Sequence, residues 1–162
     1  MLRKFTSTHI GLITGTLMLL HALFLYYNDF PMDTPLQYIA YFFYATGIFL
    51  AVLRYRQSPE CSGKFADMFG QGFRAFIVVT LIMVSFIGIF SSMHPEFAQE
   101  TSVEYRKDLE AKKDKTPAEI DTEVATFKKQ YTIRLVSSSI FGYLFLGSVA
   151  TALFTVIINK RN

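Results

Sequence analysis

Long apolar runs alternate along this chain with shorter polar connections. Four stretches, Thr8 to Tyr27, Leu36 to Leu53, Ala75 to Met93 and Leu135 to Ile158, contain no Asp, Glu, Lys or Arg. Each approaches or exceeds the roughly 18 to 20 residues that a helix needs to cross the hydrocarbon core of a bilayer. Inside lipid every backbone amide must be bonded within its own segment, which selects helices over open strands. The pattern therefore predicts an all-α polytopic membrane protein, a four-transmembrane-helix bundle with spans at about 8–27, 36–53, 75–93 and 135–158. Arg3 and Lys4 precede the first run as in a signal peptide, but no small-x-small cleavage pattern follows at Tyr26-Tyr27-Asn28-Asp29, so the run reads as an uncleaved anchor.

Two of the connections carry a periodicity of their own. Between spans two and three, Phe65, Phe69, Phe73 and Phe76, with Met68, recur at three- and four-residue spacing. This predicts an interfacial helix over 65–73 with its apolar stripe on the membrane surface, bending into span three at Gly70 and Gly72. The Gly-x-Gly in "MFGQGFRAF" lacks a third glycine and a preceding strand, so it is no nucleotide fingerprint.

The connection between spans three and four, residues 94–132, is longer and charged. Within it Thr116-Pro117-Ala118-Glu119 has the form of a helix start: Thr116 as N-cap, Pro117 in the first turn where its missing donor is harmless, and Glu119 closing the capping box. Ile120, Val124, Phe127 and Tyr131 then follow at spacings of four, three and four and form one apolar stripe. Upstream, Pro95 and Glu96 open a second helix with Phe97, Tyr105 and Leu109 as a weaker stripe and Asp108 paired to Lys112. Lys113-Asp114-Lys115 reads as the turn, giving a helical hairpin. No glycine or proline interrupts Ala118 to Phe141, so the second arm is expected to run into span four, with Arg134 snorkelling at the boundary.

Composition agrees with a membrane class: 51% hydrophobic residues and 17 Phe are too many for a soluble domain of 162 residues. Basic residues gather at the amino terminus (Arg3, Lys4), between spans two and three (Arg54, Arg56, Lys64, Arg74) and at the carboxyl tail (Lys160, Arg161). The first outer connection, "NDFPMDTP", has none, and residues 94–133 offset seven Lys/Arg with nine Asp/Glu. By the positive-inside rule both termini are cytoplasmic and the 94–132 hairpin is extracytoplasmic, in a multi-pass protein of a bacterial inner (cytoplasmic) membrane. The inner basic ring suits anionic membrane lipids as partners, and its scatter along the boundaries excludes nucleic acid. A lone Cys61 supplies neither a disulfide nor a metal site.

Chemistry within the spans is sparse. Gly11 and Gly15 form a small-xxx-small pair with Thr14 and Thr16 beside them, and Ser137, Ser138, Ser139, Gly142, Gly147, Ser148 and Thr151 repeat the device in span four. Tight helix packing explains them more simply than a hydroxyl-lined substrate path. His9, His21 and His94 are the ionisable groups at or near membrane depth. His21 and His94 fall on the outer side, but no second histidine pair supports haem, and the spans offer no carboxylate or thiolate for a metal. No nucleophile with a base in reach is evident, so neither a catalytic residue nor a cofactor is expected.

The order of spans, the cytoplasmic "FADMFGQGFRAF" leading into span three, "HPEF" directly after it, the charged helical outer segment and a glycine-rich last span ending in "NKRN" together resemble domain-of-unknown-function family 4199, small membrane proteins found chiefly in Bacteroidota. The resemblance implies a fold and an envelope location and no reaction. Two functions follow as expectations. The first is a structural or interaction component, self-associating or an accessory subunit, with contacts at Ile120, Val124, Phe127 and Tyr131 and at Gly11, Gly15, Gly142 and Gly147. The alternative is a binder or transporter of a small lipid-like molecule.

Overall fold

A computed structural model describes residues 6–30 and 34–160; Arg3, Lys4 and Arg161, used above for orientation, lie outside these. The fold is all-α. Helix α1, Ser7–Tyr27, ends where the side-chain amide of Asn28 donates to the Phe24 carbonyl at 2.8 Å and Asp29 turns left-handed, φ 54°. A 3-10 turn at Pro35–Gln37 leads into α2, Tyr38–Arg56, whose last turn carries Arg54 and Arg56 where the helix dipole favours cations. Then follow α3, Phe65–Met93, α4, Pro95–Lys112, and α5, an unbroken helix of 43 residues from Pro117 to Asn159.

Four helical segments are long and apolar enough to cross a membrane: Ser7–Tyr27, Pro35–Arg56, Phe65–Met93 and Pro117–Asn159. The expected spans at 8–27, 36–53, 75–93 and 135–158 lie inside them. The stretch 65–73, expected as an interfacial helix bending into span three, is the first part of α3. Phe65, Phe69 and Phe73 do form a ladder of rings there, with centroids 5.8 and 6.4 Å apart. Met68 and Phe76, assigned to the same surface stripe, are instead fully buried. Neighbouring helices decide this: Met68 packs with Val52 of α2 and Ile158 of α5, and the Phe76 ring lies against Gly147 of α5.

The chain divides into two compact units, the described residues of Met1–Met83 with Ile140–Asn162, and Val84–Ser139. In the first, Ile10, Ala51 and Ala75 bring α1, α2 and α3 together, while Val52, Met68 and Ile158 bring α2, α3 and α5 together. Close backbone approach makes this possible. A Cβ on Gly11 would stand 2.6 Å from the Ala75 carbonyl oxygen, and one on Gly72 would meet Thr151 at 2.5 Å, so Gly72 is explained by packing rather than by a bend.

In the second unit α4 lies beside the first turns of α5, held by Arg106 to Asp121 at 2.5 Å and by Lys128 to the side-chain carbonyl of Gln99, while Ser91 on α3 donates to Thr132 on α5 at 3.1 Å. The connection between α4 and α5 begins at Lys113, left-handed at φ 52°, and ends at the cap of α5.

Candidate functional site

The glycines singled out in the sequence fall into two kinds. Gly11, Gly15 and Gly147 are buried contact points: Gly15 faces Ile82, and Gly147 lies beneath the Phe76 ring and the Tyr44 hydroxyl. Tyr44 in turn donates to the Tyr143 carbonyl at 2.8 Å, tying α2 to α5. Gly142 is different. It is exposed, with open space where a Cβ would be, between Phe141 at 79% exposure and Phe145 at 69%. Nothing among the described residues comes within 4 Å of that Cβ position.

Among the described residues, two buried hydroxyls in this unit have no hydrogen-bond partner. Thr151 and Thr155 are wholly buried, and their Oγ1 atoms make no hydrogen bond among the described residues. A hydroxyl one turn from a carbonyl usually bonds back to it, as Thr80 does to Phe76 at 2.8 Å.

A groove of about 350 Å³ runs between α1 and α2, bordered by Ile13 and Leu17 on one side and by Phe43, Thr46, Leu50 and Arg54 on the other. The sequence reading missed it and took Arg54 only as an orientation charge. The signal was present: Phe43, Thr46, Leu50 and Arg54 follow at three, four and four residues, one face of a helix ending in a cation.

In the second unit the stripe of α5 turns toward α4. Ile120 is buried, Val124 is half-buried, Phe127 stacks on Tyr105 with centroids 4.5 Å apart, and Tyr131 meets the Phe127 ring edge-on. Arg134 sits over Phe127 at 5.7 Å and donates to Gln130. Glu119 accepts from both the backbone amide and the hydroxyl of Thr116 at 2.8 Å, and these two bonds, the backbone one first, hold its carboxyl below the ordinary range. Lys115 contacts Glu123 at 2.5 Å, which raises its pKa. The i, i+4 ion pair seen in α4 is Arg106 with Glu110 at 3.9 Å, one turn or less from the expected Asp108 with Lys112.

His21 and His94 are each engaged locally. His21 donates through Nε2 to the Leu36 carbonyl at 3.0 Å and packs edge-on against Phe43. His94 stands at the N-cap position of α4, its Nδ1 2.6 Å from the Glu96 carboxylate and its ring against Phe90 and Phe97. Glu96 is held below the ordinary carboxylate range, first by its own backbone amide and then by His94. Among the described residues no three His, Cys, Asp or Glu gather into a group that could hold a metal ion.

Residues 9–160 match the family described as Protein of unknown function (DUF4199). The chain belongs to that family. No curated protein and no solved structure matches it. The DUF4199 match takes in α2 to α5 and α1 from residue 9, so the glycine contacts, the α1/α2 groove and the capped start of α5 all lie within the family's domain. The family description carries no reaction, and the function must be argued from this DUF4199 chain's own geometry.

Proposed function

We propose that the protein is a non-catalytic interaction component of a bacterial inner membrane, either self-associating or an accessory subunit, with both termini cytoplasmic and residues 94–132 forming an extracytoplasmic helical hairpin. The observation that carries this reading is the uncovered face of α5. Only 17% of its most apolar stretch is buried within the chain, against 28% for the corresponding stretches of α2 and α3. Phe141, Phe145, Val149 and Leu153 line that face at four-residue intervals beside the uncovered Gly142, an arrangement suited to a second helix. The capped, cross-paired segment at 94–133 supports an ordered contact surface more than a spacer. The acidic balance of residues 94–133 and the basic residues Arg54, Arg56, Lys64, Arg74 and Lys160 support the orientation.

Amine cross-linking in intact membranes tests this reading, because Lys112, Lys113, Lys115, Lys128 and Lys129 stand around the exposed surface of α4 and α5. Linkage of these lysines to a second copy or to a recurring neighbour is expected. A monodisperse monomer with no linked neighbour after mild extraction overturns it. The second reading, a binder of a small lipid-like molecule, is favoured by one observation, the groove between α1 and α2.

A further inference from the structure

We infer that the groove between α1 and α2 holds one acyl chain of an anionic membrane phospholipid whose phosphate is bound by Arg54; this rests on the second reading above. Dimensions come first. The border on α2 runs from Phe43 to Arg54, roughly 16 Å at 1.5 Å per residue. One leaflet of a hydrocarbon core about 30 Å thick is about 15 Å deep. A groove of this length ending in a cation therefore matches the tail and the head of a single lipid.

The shape points to a membrane lipid rather than a soluble ligand. Ile13, Leu17 and Leu50 are 49%, 44% and 43% exposed, so the groove lies open along its length. A two-chain lipid can enter sideways and leave its other chain in the bilayer.

Selectivity must come from the head. Lipid tails are as apolar as Leu, so an acyl chain gains little by leaving its neighbours for the groove. The guanidinium of Arg54, by contrast, presents a planar fork that matches two phosphate oxygens. Arg54 and Arg56 lie in the last turn of α2, and Lys64 follows in the connection to α3. Basic residues between helices at a membrane boundary attract anionic headgroups over zwitterionic ones.

The full chain is reconstituted in nanodiscs of phosphatidylcholine containing a minority of phosphatidylglycerol, then taken into mild detergent, and the retained lipid is measured by mass spectrometry. The expected result is retained phosphatidylglycerol enriched about tenfold over its share of the bilayer, an equilibrium preference of about 1.4 kcal/mol. Arg54→Gln should abolish the enrichment. Thr46→Phe, which fills the groove, should remove retained lipid of both kinds. Arg74→Gln, an exposed charge on α3 outside the groove, should change nothing.

Retained lipid that mirrors the bilayer in the wild-type chain overturns the anionic assignment and leaves lipid binding standing. Equal loss of enrichment in Arg54→Gln and Arg74→Gln overturns it as well, because the effect is then one of general surface charge. No retained lipid at all overturns both this inference and the reading on which it rests.

Discussion

The ring of Tyr105 on α4 lies 4.5 Å, centroid to centroid, from that of Phe127 on α5, with their planes 22° from parallel. This stack is an apolar tie between the two helices, whereas the polar ties, such as Arg106 to Asp121, are exposed and contribute little each. Phe127→Ser removes the stack and the edge contact to Tyr131 together. It should destabilise this unit by about 2 kcal/mol and speed proteolytic cutting near Lys113 to Lys115, with membrane insertion unchanged. Unaltered cutting would remove the packing role assigned to Phe127.

The two span-four glycines should respond in opposite ways. Gly147→Ala places a methyl 2.6 Å from the buried Phe76 ring and should destabilise the chain by about 2 kcal/mol. Gly142→Ala meets nothing and should raise the stability of the single chain by up to about 1 kcal/mol through helix propensity. If a second helix covers Gly142, the same change should lower cross-linking between chains. Unfolding in detergent, read alongside cross-link yield in membranes, separates these effects.

Burial without a partner makes Thr155 a site for stabilisation. Its hydroxyl is desolvated and unbonded, and Val has nearly the same shape, so Thr155→Val should gain about 1 kcal/mol. A loss of stability on thermal unfolding in micelles would count against an unbonded hydroxyl.

Lys113 holds a left-handed conformation that glycine adopts freely, at the position following α4. Lys113→Gly should therefore stabilise the end of α4 by about 1 kcal/mol. Slower amide exchange at Glu110 to Lys112 is the readout, and unchanged or faster exchange counts against the left-handed cap.

The cap of α5 should be sensitive to acid. Glu119 has a folded pKa below its reference value of 4.5 because the ionised carboxylate accepts from Thr116. Its contribution is fully present above pH 4.5 and is lost as the pH falls through the lower folded value. Amide exchange at the start of α5, normalised to intrinsic rates, should rise across that acidic range and should lose this dependence in Glu119→Gln. Thr116→Ala should cost about 1 kcal/mol near neutral pH.

How much of this was legible depended on whether the signal was local. The spans and the Thr116 to Glu119 cap could be read because a run length and a capping box are properties of consecutive residues. The run across Ala118 to Phe141 was equally readable, since nothing in it breaks a helix. Which face of a span is covered depends on its neighbours, so Gly142 and Gly147 looked alike in the sequence and proved opposite in packing. Met68 and Phe76 were misassigned for the same reason: they share one apolar stripe with Phe65, Phe69 and Phe73, and only the neighbouring helices decide which part of it is covered. The groove was hidden because its α1 wall lies some thirty residues upstream of its α2 wall.

Cys61 is half-buried beside the Val52, Met68 and Ile158 cluster, with Arg56 3.9 Å from its sulfur. It is the chain's single thiol. Because it lies in the connection between α2 and α3, a charged maleimide that cannot cross lipid reaches it from one compartment only. The native chain thus carries a built-in marker of sidedness: one labelling comparison between sealed and opened vesicles assigns that connection to a compartment, and the alternation of spans assigns the others.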